Sequence, residues 1–172
     1  MQTHFDANLG DFDQSFRRSN LLTEIDDTDP SVLSSRAEIK MQNRFKPVTG
    51  QTNYKVYYPT SIAAPDDTQH IVISKNFRYQ GETCYLRNRL SSNVLELFSY
   101  TAGKLALDNV GTYDAATGIL NLENFIISLT SGDHVKIVAT PANQATITPL
   151  RNNILRYDAA SSFANAILTD SL

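Results

Sequence analysis

Tryptophan is absent from the chain, and cysteine, methionine, proline and glycine are scarce: one Cys, two Met, six Pro and seven Gly in 172 residues. The lone Cys84 excludes an intramolecular disulfide framework and any zinc site built on paired cysteines. No apolar run approaches the ~20 residues that a membrane-crossing helix needs. The opening Met1-Gln2-Thr3-His4-Phe5-Asp6 lacks the basic and apolar regions of a secretory signal. The expectation is a chain made and kept in solution in a reducing cytoplasm, with no membrane partner. Positive charge is not in excess either, with 15 basic against 18 acidic residues and a net charge of -3. Such a chain has no field to gather phosphates, so no nucleic-acid partner is expected. A glycine-rich phosphate loop, a nucleophile elbow and a dinucleotide fingerprint are all missing.

What is present suits strands. Hydrophobic residues make up 41% and charged residues 19%, and the polar remainder is rich in Asn, Ser and Thr. That balance favours a turn-rich β chain over a helical bundle. Residues 1–12 show no periodic pattern and are read as an extended arm. From Asp13 the apolar set Phe16, Leu21, Leu22 and Ile25 follows a helical stripe with Arg17 and Arg18 on its wetter side, a leading helix within 13–28 that ends before Pro30. Between Arg36 and Lys46, residues 37, 39, 41 and 45 are apolar and alternate with polar ones, the signature of a long half-buried strand. Shorter strands are predicted at 53–58, 69–74, 77–79, 83–87, 94–101, 104–108, 111–113, 118–122, 134–140 and 154–157. Asp114-Ala115-Ala116-Thr117-Gly118 and Tyr100-Thr101-Ala102-Gly103-Lys104 carry hairpin-turn chemistry. The alanine-rich tail 159–172, with Phe163 and Ile167 four residues apart, reads as a tail or short helix. The fold class is therefore mainly β (α+β): one antiparallel β-rich domain over 13–158 with an N-terminal helix.

The search for chemistry returns little. Asp27, Asp29, Ser31 and Glu38 occupy positions 1, 3, 5 and 12 of a calcium-loop frame, but Val32 stands where that loop needs glycine. Asp66, Asp67 and His70 share a polar loop, and His4 and His134 have no evident nucleophile or orienting group. Cys84 alternates with Leu86 and reads as a core residue. The basic stripe Arg36, Lys40, Arg44 and Lys46 is interrupted by Glu38 and Gln42, which fits a solvated face or an acidic protein partner. No catalytic, cofactor-binding or metal-ligating residue is expected, and the chain is not read as an enzyme. A small hydrolase ranks lowest, since no nucleophile–base pair is legible. A second candidate is a β-sandwich that binds glycans or proteins on a virion, with Tyr54, Tyr57 and Tyr58 in place of tryptophan platforms.

Several segments taken in order resemble the C-terminal region of the baseplate wedge protein of T4-like phages, a relative of the baseplate J family. They are Leu21-Leu22-Thr23-Glu24-Ile25-Asp26-Asp27, Val32-Leu33-Ser34-Ser35-Arg36 and the alternating strand to Pro47. Ile71-Val72-Ile73-Ser74 leads to Phe77-Arg78-Tyr79-Gln80-Gly81. Val110-Gly111-Thr112-Tyr113-Asp114, Thr117-Gly118-Ile119-Leu120-Asn121-Leu122 and Phe125 follow. Val135-Lys136-Ile137-Val138-Ala139-Thr140-Pro141 and Arg151-Asn152-Asn153-Ile154-Leu155 complete the set. The resemblance runs over residues ~20 to 158. It implies a structural virion protein of a contractile tail baseplate, assembled from the host cytoplasm as a late product. Its partners would be a second copy, as a homodimer or higher homo-oligomer, and other wedge proteins around an inner ring. Family members are much longer, so the chain is expected to be an excised C-terminal fragment or a reduced relative. The segments expected to carry contacts are the arm, Phe16, Leu21, Leu22 and Ile25 of the helix, and Phe163, Ile167 and Leu168 of the tail.

Overall fold

The computed structural model of the chain describes residues 2–11, 13–30, 32, 34–48, 50–127, 134–150 and 153–164. Its elements in chain order are α1 (Gln2–Asn8), β1 (Phe16–Arg17), α2 (Arg18–Asp26), β2 (Met41–Phe45), β3 (Tyr54–Tyr57), β4 (Val72–Ser74), β5 (Phe77–Tyr79), β6 (Glu82–Asn88), β7 (Val94–Ser99), β8 (Lys104–Asp114), β9 (Ile119–Leu122), β10 (Val135–Ala139) and β11 (Thr146–Ile147). A single 3-10 turn follows at Ala159–Ser161.

Nine strands form one antiparallel sheet in the order β2-β10-β4-β6-β7-β8-β9-β3, with β5 on β6 beside that path. Alternation places the core. In β6, Cys84, Leu86 and Asn88 are buried while Tyr85 and Arg87 face outward. Across it in register, Ser99, Leu97 and Leu95 of β7 point the same way in. Leu120 and Leu122 of β9, Ile137 and Ala139 of β10, Val110, Tyr113 and Phe125 complete the interior. The sheet curls until its end strands meet. Asn43 Nδ2 of β2 donates to the Tyr57 carbonyl of β3 at 3.0 Å, and the Phe45 ring lies 4.9 Å from Tyr54. The result is a nearly closed, barrel-like sheet in which side chains, and no backbone ladder among the described residues, span the seam between β2 and β3. Tyr58 spans the interior, its hydroxyl donating to the Ile137 carbonyl at 2.8 Å. Burial of that phenol holds its pKa far above the ordinary tyrosine range.

The expected hairpin turns are present. Asp114 Oδ1 accepts from the amides of Ala116 at 2.9 Å and Thr117 at 3.3 Å, and Gly118 takes φ 70°. Residues 104–108 and 111–113, read as two strands, are one long β8 that stays continuous through register shifts against β7. The long strand predicted from Arg36 to Lys46 is paired only from Met41 to Phe45. Its partner β10 is five residues long, so residues 36–40 run extended with no ladder beside them. Residues 154–157, read as a strand, join no sheet among the described residues.

The N-terminal segment lies on this barrel as a second layer. Gln2–Asn8, expected to be extended, is a helix. Seven residues are too few to hold helix alone, so packing supplies the stability. Phe5 stacks on Tyr157 at 4.0 Å and 5°, and on Phe16 at 6.1 Å. Phe16 in turn pairs with Ile147 between β1 and β11. The leading helix begins at Arg18 rather than Asp13, because Phe16 and Arg17 are drawn into that ribbon. Arg17 is extended (φ -123°, ψ 117°) and the Arg18 amide donates to Ala145 O at 2.9 Å. The chain after residue 153 is tied over the barrel by Gln42 Nε2 donating to Asp158 Oδ2 at 2.8 Å.

Candidate assembly surfaces

The residues singled out for contacts divide by burial. Phe16 and Leu21 are buried in the chain's own core, where they attach the N-terminal layer to the barrel. Leu22 and Ile25 are half-buried, with Ile25 packed against that core. Phe163 is 85% exposed. Ile167 and Leu168 lie outside the described residues. The anchoring partners Phe5, Ile147 and Tyr157 are not evident from sequence. They come together only because β1 finds β11 across almost the whole chain.

Anchoring by Leu21 leaves both ends of α2 at the surface, and their charges run against the helix. Arg17 and Arg18 stand at its N-terminal end. Glu24, Asp26, Asp27 and Asp29 crowd its C-terminal end, all exposed, and the last turn holds no basic residue. The backbone dipole is positive at the N-terminus and negative at the C-terminus, so each end costs about 0.3–1 kcal/mol instead of gaining it. Arg18 also lines a cleft of ≈ 310 Å³ with Arg36, Ala37, Glu38, Thr140 and Gln144. The Gln144 side chain forms a wall there by accepting the Ile39 amide at 2.9 Å. Glu38, the acidic lining residue, pairs with Lys40 at 3.2 Å. Neither Arg18 nor Arg36 makes an ion pair with a described residue. Eighteen positions separate Arg18 and Arg36 in the sequence, and the fold brings them to one cleft.

The outer face of β6 and β7 is polar but internally matched. Arg87 lies 4.1 Å over Phe98, which is 5.6 Å from Tyr85. Its Nε donates to Glu96 Oε1 at 2.8 Å, and Arg89 bridges Glu96 to Asp108. The three tyrosines weighed as a glycan platform do not share a surface. Tyr58 is buried, and Tyr54 is stacked on Phe45 with its hydroxyl accepting the Val48 amide at 3.1 Å. Tyr57 alone is well exposed, at 49%.

Asp66, His70 and Cys84, three of the side chains weighed for metal or catalysis, are spent on structure. Asp66 Oδ1 accepts from the Thr68 amide and hydroxyl and from the Gln69 amide, at 2.7, 2.6 and 3.0 Å. The His70 Nδ1 contacts the Asn88 carbonyl at 2.6 Å, which fixes a proton on that nitrogen. Among the described residues no three His, Cys, Asp or Glu side chains are placed to hold a metal ion. Cys84 is fully buried, and burial, with Glu82's charge, pushes its thiol up, away from a reactive thiolate.

Two loop carboxylates set a pH response. The Thr68 hydroxyl and amide hold Asp66 below the usual carboxylate range, and Thr117 does the same for Asp114. A lowered folded-state pKa gives stability that is present above the unfolded value of ~3.9 and lost as pH falls through the folded one. The D66N/D114N variant keeps the acceptor oxygens without the titration. Urea midpoints at pH 7 and pH 3 are expected to show a smaller loss for it than for wild type.

Residues 1–44 match the family model described as baseplate structural protein gp6, C-terminal domain III. No curated protein matches the chain. The matched segment comprises α1, β1, α2 and the first residues of β2. It is the layer wrapped on the barrel, and it contains Arg18, Arg36 and the acidic run. The match supports a structural protein of a phage baseplate, placed in the virion tail among other baseplate proteins.

Proposed function

We propose that the chain is the C-terminal assembly region of a wedge protein in a contractile tail baseplate, where it associates with a second copy of itself and helps to form the inner ring. The observation that carries this reading is the match of residues 1–44 to a baseplate structural domain, combined with what that segment does in the fold. It docks through Phe5, Phe16 and Leu21 and turns the charged ends of α2 outward. An element held rigidly by its apolar side and charged on its free side is suited to present a contact. Its neighbours are further copies and other wedge proteins, met first in the host cytoplasm. Light scattering coupled to size-exclusion chromatography is expected to show a dimer or larger species that grows with concentration. A monomer at every concentration would remove self-association from the reading.

A further inference from the structure

The two ends of α2 fit each other better than either fits its own helix. We infer that the Arg18–Arg36 cleft receives Asp26 and Asp27 of a second copy, giving a head-to-tail contact between chains. This rests on the self-associating reading above and specifies the contact. In one copy the cleft holds two guanidinium groups without an ion-pair partner among the described residues, beside the first turn of α2, where the N-cap residue Arg17 makes no side-chain cap. Asp26 and Asp27 are exposed at the far end of the same helix, where the backbone carbonyls repel them. Docking transfers these carboxylates to a helix N-terminus and two arginines. Both electrostatic penalties are thereby relieved in one contact, and the bidentate geometry of Arg suits a carboxylate. A sequence that opposes its own local structure at both ends of one element marks a place where another requirement wins. Donor and receptor patches differ, so the contact is heterologous: successive copies add in one direction and close into a ring when the rotation permits.

The test uses the whole chain and two variants, R18E/R36E with a dead cleft and D26K/D27K with a dead donor. Each is expected to be monomeric by light scattering at concentrations where wild type associates, and wild-type association is expected to weaken in high salt. Each variant is also expected to melt higher than monomeric wild type, because its new charges suit the dipole; R18Q/R36Q serves if R18E/R36E fails to fold. Mixed one to one, the neutral variants R18Q/R36Q and D26N/D27N retain one intact cleft and one intact donor and create no reversed ion pair, so they are expected to form a heterodimer that grows no further. Variants that associate like wild type would overturn the cleft contact and leave self-assembly standing, and a mixture without heterodimer would do the same. Wild type that stays monomeric throughout would remove both.

Discussion

Gly111→Ala is expected to destabilise the chain by about 4 kcal/mol or more, enough to unfold a domain of ordinary stability. Gly111 lies in the middle of β8, opposite Leu95 on one side and Leu122 on the other. Its φ is 131°, in a region that residues with a Cβ rarely enter. The neighbouring strand also presses close: a Cβ there would stand 2.9 Å from the Asn121 carbonyl carbon and 3.0 Å from Leu122 Cα, with the Asn121 oxygen nearer still. All three are backbone atoms in a buried ladder, so relief requires parting β8 from β9. Gly103 separates the two effects. It also has positive φ, at 62°, but nothing lies within 4 Å of its would-be Cβ. Gly103→Ala therefore costs only the backbone term, about 1 kcal/mol. Urea unfolding of the two variants measures both. Equal losses would mean that conformation, rather than the approach of β9, requires the glycine at 111.

Most of the barrel was legible because its signals are local. β5, β6, β9 and β10 each alternate in burial over their own length, and the turn at Asp114–Gly118 is written in five consecutive residues. The N-terminal layer was not, and the reason is the same for each miss. α1 exists because Phe5 meets Tyr157; β1 exists because Phe16 meets Ile147. These are long-range contacts with no local periodicity, so an isolated reading of residues 1–17 returns an arm and a helix that starts too early. Residues 36–40 mislead in the opposite way. Ala37 and Ile39 alternate because they pack against the core, yet strand status needs a hydrogen-bonded neighbour and β10 has already ended. The candidate site follows the pattern. The charged ends of α2 are plain in the sequence, as a pair of arginines and an acidic run. That Arg36 shares a cleft with Arg18 is a property of the fold alone.

Asn88→Ala is expected to cost about 3–5 kcal/mol, far more than the loss of one ordinary hydrogen bond. Asn88 ends β6 with no exposed surface, and its side chain makes four bonds. Oδ1 accepts the amides of Ile71 at 2.7 Å and Val72 at 2.9 Å, and Nδ2 donates to the carbonyls of Arg89 at 2.8 Å and Ser92 at 3.2 Å. One amide thus substitutes for missing ladder: β4 and β6 share a single ladder pair, Ile73 opposite Arg87, and Asn88 satisfies the backbone where that pairing stops. Removing it strands the two buried N–H groups of Ile71 and Val72, where apolar walls leave little for a water to bind, while the Arg89 carbonyl keeps the Ser92 amide. Asn43→Ala provides the comparison. The Asn43 side chain makes one bond among the described residues, to Tyr57 O, at the partly solvated barrel seam, so its loss is expected to cost about 1 kcal/mol. Hydrogen exchange locates the effect: in Asn88→Ala the Ile71 and Val72 amides are expected to exchange orders of magnitude faster, while those of β9 follow global stability alone. Protection of Ile71 and Val72 that falls no further than that of β9 would show that the network is worth no more than its average bond.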